Sequence, residues 1–171
     1  MEVQNFFLKE QSMLGLNSIK SGYNGSQIRM WIKHGYGENP KNSSQLIVIK
    51  RNDNGFSGEL HTYLLKYGEN WDSIVSITKR LDILKPESGW KDLIDKMEKL
   101  DINVLPDYQK IAGYYVNADS YGVMVEISSN EKYRLYYYPD YMERKDQFKQ
   151  AMNMFEIMRL MEREFNIKLI Y

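Results

Sequence analysis

The sequence predicts an α+β domain: a mostly antiparallel sheet of about six strands with helices packed on one face, in the order α-β-β-β-β-α-β-β-α. Three observations predict it. Two pairs of alternating apolar runs are each joined by a short polar turn, the pattern of neighbouring antiparallel strands. Two later segments carry apolar residues at helical spacing. The strands come in runs instead of alternating one by one with helices, so a parallel βαβ sheet is not indicated. The length, 171 residues, fits a single domain over 1–171 and needs neither disulfides nor a metal to bury a core.

In chain order, Val3, Phe6, Phe7, Met13 and Leu14 sit at loosely helical spacing. The Gly-rich stretch at 21–26 then breaks that pattern. From Gln27 the period becomes two. Ile28, Met30 and Ile32 point one way and Arg29, Trp31 and Lys33 the other, which predicts a strand. Two apolar runs, Gln45–Arg51 and Gly58–Leu65, flank Asn54-Gly55, a pair suited to a type I′ hairpin turn because both central positions need positive φ. With that loop Ile49 faces Leu60 and Lys50 faces Glu59. A fourth strand is predicted at about 73–83, with Val75, Ile77, Leu81 and Ile83 sharing one parity.

Pro86 stops that strand, and Ser88 is the expected N-cap of a helix over 89–101. Trp90, Leu93, Ile94, Met97 and Leu100 form its apolar stripe, and Asp92–Lys96 and Asp95–Lys99 are its i,i+4 pairs. The Tyr-rich connection at 107–120 has room for a short strand at 109–115. A second hairpin follows, Tyr121–Ile127 with Tyr133–Tyr138. Keeping the apolar sets together puts Val125 opposite Leu135 and Glu126 opposite Arg134. Pro139 ends the sheet, and a helix over roughly 143–166 carries apolar residues around more than half its circumference. An arc that wide implies several packing neighbours, or a homodimer through this last helix. Residues 167–171 could add a terminal strand.

Composition narrows the chemistry. Charges balance at 23 Lys+Arg against 23 Asp+Glu, so a general nucleic-acid binder is not expected. Cysteine is absent, which removes thiolate nucleophiles, disulfides and cysteine-ligated metals. No phosphate-cradling glycine motif occurs, and Gly55-Phe56-Ser57-Gly58-Glu59 lacks the second glycine of a nucleophile elbow. Two histidines, His34 and His61, show no metal-ligand spacing. No cofactor and no metal are expected. No run approaches the roughly 18 apolar residues of a membrane span, and Met1–Lys9 does not read as a signal peptide.

Four candidate features are left. Glu126 is the leading carboxylate, mid-strand beside aromatic neighbours, its plainer role being a cross-strand ion pair with Arg134. Asp107 and Asp119 sit in Tyr-rich loops where turn chemistry accounts for them. Methionines 152, 154, 158 and 161 share the last helix as core filling. Nine of the 14 tyrosines lie between 108 and 141. Alternation sends Tyr137 inward with Leu135 and turns Tyr136 and Tyr138 to the opposite face, where an exposed row suits stacking on sugars, peptides or proteins. Trp31, on the Arg29/Lys33 face of its strand, shares that property.

Four stretches, Gln27–Ile32, Lys85–Trp90, Leu105–Tyr108 and Val125–Tyr138, together resemble a group of small bacterial α+β proteins, functionally uncharacterised and often exported or lipid-anchored. The resemblance carries no catalytic residue and implies an exported or cell-envelope location over a cytoplasmic one. The expected function is therefore a non-enzymatic binding or protein-interaction module. Trp31, Glu126, Arg134, Tyr136 and Tyr138 are its expected contact residues, and a protein, peptide or glycan its partner. Two competing expectations are a small hydrolase-like enzyme using Glu126 with a Tyr or His61, and an inhibitor or immunity-type protein.

Overall fold

Among the described residues six strands pair antiparallel in a single open sheet of order β4-β3-β2-β1-β5-β6. They are β1 (Tyr23–Lys33), β2 (Ser44–Asn52), β3 (Gly55–Tyr67), β4 (Ile74–Leu84), β5 (Gly122–Asn130) and β6 (Lys132–Pro139). Helices α1 (Glu2–Leu14), α2 (Trp90–Lys99), α3 (Tyr141–Arg144) and α4 (Lys149–Phe165) complete the α-β-β-β-β-α-β-β-α order, α3 and α4 standing where one long helix is predicted. The structure, a computed structural model, describes residues 2–33, 43–69, 73–117, 121–130 and 132–169. Predictions resting on His34, Asp119 and 170–171 lie outside the described residues.

The two hairpins flank β1, which pairs with β2 on one side and β5 on the other. Strand β1 alternates as predicted. Met30 and Ile32 enter a large core with Ile47, Leu60, Val123 and Val125, covered by Leu93 and Met97 of α2 and by Met154, Ile157, Met158 and Met161 of α4. Trp31 enters a second core on the opposite face with Leu46, Val48, Tyr63 and Ile74, closed by Leu14 and Phe7 of α1. Helices α2 and α4 thus share one face, as expected, while α1 lies on the other. Most of the wide apolar arc of α4 packs inside the chain, with Met152 and Phe155 half-buried.

Both hairpins pair in registers other than those predicted. In the first, Ile49 faces Gly58 and Ile47 faces Leu60. Only Gly55 of the turn pair has positive φ, so the loop is not type I′. A turn over Asp53-Asn54 is closed by the Asn52 side chain accepting from the Asn54 amide. The shift is two residues, so faces are kept, and Lys50 still reaches Glu59 diagonally at 2.7 Å. In the second hairpin Val125 faces Tyr136 and Glu126 faces Leu135. That is a slip of one residue, which exchanges the faces of β6 entirely.

Five further predictions are corrected. The Val75/Ile77/Leu81/Ile83 parity is the mostly exposed side of β4, because β4 is the sheet's edge and Ile74 and Leu84 supply its buried ends. Gly89 is the N-cap residue of α2. Ser88 donates to Glu164 instead, and Lys96 pairs with Glu164 in place of Asp92. Residues 108–110 form a single 3₁₀ turn in place of the strand predicted at 109–115, and 167–169 carry no strand.

Candidate functional site

The α1 face of the sheet gathers the polar side chains with catalytic or binding potential. Glu126, mid-strand on β5, is fully buried directly across from Arg29 of β1. Its Oε2 accepts from Trp31 Nε1 at 2.8 Å and Gln11 Nε2 at 3.3 Å, and its Oε1 from the Tyr133 hydroxyl at 2.8 Å. Arg29 Nη1 lies 3.9 Å from Oε2, and Arg29 Nη2 donates to the Asn17 carbonyl at 2.7 Å. Arg29 Nε and Nη1 make no hydrogen bond among the described residues. Burial lowers the Arg29 pKa against the opposing pull of Glu126, and burial followed by the Glu126 charge pushes the Tyr133 hydroxyl up. Tyr133 therefore stays a proton-bearing donor at neutral pH.

Helix α1 pins itself to this polar surface. Glu10 accepts from the buried Tyr63 hydroxyl at 2.6 Å, next to Gln11 on Glu126. Burial and then Glu10 raise the Tyr63 pKa well above its ordinary value. Lys79 of β4 donates to the Met13 carbonyl at the helix C-terminus, a favourable place for a cation. Ser128 of β5 donates to the Ile19 carbonyl just beyond. A neighbouring trio lies toward the sheet edge: Lys50 and His61 both contact Glu59, at 2.7 and 3.2 Å. Burial lowers the His61 pKa, with Glu59 working against it.

This arrangement is built to hold a charge still. An acid–base carboxylate needs substrate within about 2.6–3.2 Å of an oxygen. Both Glu126 oxygens are engaged by protein donors and none of the residue's surface is exposed. Among the described residues no group of three His, Cys, Asp or Glu is placed to hold a metal ion. A polar recess of about 530 Å³ does open at the hairpin end of the sheet. Its lining, Gly25, Ser26, Arg51, Asn52, Asp53, Ser129 and Asn130, includes neither Glu126 nor His61.

The expected contact residues divide between the two faces. Trp31 and Glu126 come together, but under α1. Arg134, Tyr136 and Tyr138 lie on the α2/α4 face, where Tyr136 and Tyr138 are core residues at 1% and 0% exposure. The exposed aromatic row is thus corrected: the one-residue slip turns Tyr136 and Tyr138 inward and leaves Leu135 46% exposed. Arg134 does not pair with Glu126. It donates to the Leu105 carbonyl and lies over the Tyr136 ring. The tyrosine concentration has a structural use. Tyr136, Tyr138 and Tyr114 donate to the carbonyls of Ile102, Pro106 and Pro139, lashing the 102–114 connection to β6. Arg29, Gln11 and Tyr133 were not singled out. Arg29 and Glu126 are an opposite-charge pair whose adjacency depends on β1 meeting β5, a long-range fact with no local signal.

The sheet's two edges differ sharply. The edge at β6 is occupied: Asp107 accepts the Tyr137 amide, and the 105–110 segment covers the strand. At the other edge, β4 presents Val75, Leu81 and Ile83 at 60%, 53% and 77% exposure. Comparison of the chain with protein-family models, with curated proteins and with solved structures finds no match.

Proposed function

We propose that this protein is a non-enzymatic interaction module that docks an extended polypeptide along the outer edge of β4. One observation carries the reading. Exposed large apolar side chains line a strand of 11 residues that, among the described residues, has a strand neighbour on one side only. An unpaired edge offers backbone donors and acceptors in a row, and alternate side chains beside it supply apolar contact. That chemistry fits protein or peptide better than glycan, which has no complementary amide ladder. The engaged, buried state of Glu126 gives the hydrolase-like alternative no comparable support.

A photo-crosslinking residue placed at Ile83 tests the reading in cells, with Val104, equally apolar and 68% exposed on the connection after α2, as the control. Adducts at position 83 and not at 104 are expected. Equal yields at both positions would overturn the assignment of β4 as the docking edge.

A further inference from the structure

Resting on β4 as the docking edge, we infer that the polypeptide it takes is β4 of a second copy of this chain, the two sheets joining across a two-fold axis into one of twelve strands. Edge charges normally discourage such pairing. On β4 these are Lys79, Arg80 and Asp82, and a single symmetric register sets two of them against each other as opposite charges. Side-by-side antiparallel copies share a two-fold axis perpendicular to the sheet, so residues of like parity must face each other. Centring the axis on Lys79 or Arg80 sets like cations against themselves, and centring it on Asp82 sets carboxylate against carboxylate. Leu81 on the axis avoids all three conflicts and alone brings opposite charges together. Arg80 of each copy then faces Asp82 of the other, on the α2/α4 side. On the α1 side Leu81 faces Leu81, with Ile83 diagonal to it.

The same register accounts for exposure. Leu81 and Ile83 are both largely exposed in the single chain; across the axis Leu81 packs on Leu81, flanked on each side by an Ile83 that lies opposite the stem of Lys79. Arg80 and Asp82, which contact each other along one strand at 2.8 Å while mostly solvated, gain partners on the facing strand. The other edge cannot compete, because Asp107 and the 105–110 segment occupy it.

The absence of cysteine makes the register directly readable. Directly opposed residues place their Cβ atoms about 5 Å apart, close to the roughly 3.8 Å that a disulfide spans. Under mild oxidation Leu81→Cys should link to itself, Arg80→Cys and Asp82→Cys should each stay unlinked alone, and their mixture should link. Sedimentation velocity from about 1 to about 500 µM, the range for a small interface, should show a reversible dimer in the unmodified protein. Leu81→Glu, which sets carboxylate against carboxylate on the axis, should abolish it while leaving the circular dichroism spectrum intact, and Val104→Glu should not. Arg80→Asp or Asp82→Arg alone should weaken association at least tenfold, and the double reversal should restore it to within threefold. A monomer throughout, without the Leu81→Cys link, overturns the second copy as partner. If Ile83 adducts with another protein persist in that case, the docking edge stands. If they are absent too, both readings fail. A dimer that links through Lys79→Cys in preference to Leu81→Cys overturns the register.

Discussion

On the face covered by α2 and α4, the interior is almost entirely aliphatic side chains, methionines and tyrosines whose hydroxyls reach backbone carbonyls. At equal depth on the α1 face lie Arg29, Glu126, Glu10, Gln11 and His61, packed around Trp31, Leu46 and Val48. The first face gains stability from area removed from water, which is insensitive to direction. The second places a helix by direction: four groups of α1 and the segment after it each meet one receptor on the sheet, Glu10 to Tyr63, Gln11 to Glu126, the Asn17 carbonyl to Arg29 and the Ile19 carbonyl to Ser128. A helix with a loosely patterned apolar side can be seated uniquely in this way, since a shifted α1 would strand several buried polar groups at once.

The two faces predict opposite mutational behaviour. Arg29→Met and Glu126→Gln should each lower the free energy of unfolding by about 3–5 kcal/mol, because each leaves the other charge buried and uncompensated. The double variant should be more stable than either single one. Urea unfolding of the cycle checks this, and strict additivity would remove the distinction between the faces. Leu93→Ala on the apolar face should cost about 2–5 kcal/mol as a cavity. Paired with the remote Arg29→Met it should add simply, the two sites lying on opposite sides of the sheet.

A third expectation concerns the rim of the apolar face, where Glu164 of α4 accepts from the Ser88 amide and hydroxyl and from Lys96. Burial by itself raises its pKa, but these donors outweigh burial and hold it at about 2 against an ordinary 4.5. The unfolded chain therefore takes up this proton first on acidification. The clamp's contribution, at most about 3 kcal/mol, is complete above pH 4.5 and lost as pH falls toward 2. Glu164→Gln should flatten the dependence of the urea midpoint on pH between those limits, and an unchanged slope would count against the clamp. The smallest expected contrast is between two hydroxyls. Tyr133→Phe, which withdraws a donor from a charged acceptor, should cost about 1.5 kcal/mol, and Tyr136→Phe, which withdraws one from the Ile102 carbonyl, about 1 kcal/mol. Thermal unfolding resolves the two, and a reversed order would mean that Tyr133 is replaced by solvent.

The α+β class, the element order, the alternation of β1 and the stripe of α2 were legible in the amino-acid sequence, because periods of two and of 3.6 are local properties of the chain. Glu126 was legible as the carboxylate to inspect, since a charge amid alternating apolar residues is visible without a fold. Its partner was not. Arg134 is near in sequence and Arg29 is remote, and only the β1–β5 pairing decides between them. The facing of Tyr136 and Tyr138 was equally undetermined: a period of two fixes which residues share a face and says nothing about which face is buried, and a slip of one residue exchanges them. The exposure of Val75, Leu81 and Ile83 depends on β4 being outermost, which strand order alone sets. The chain by itself determined the elements and their amphipathic halves. The tertiary structure decided which half each element buries and against whom, because burial belongs to the pair of surfaces and not to either one.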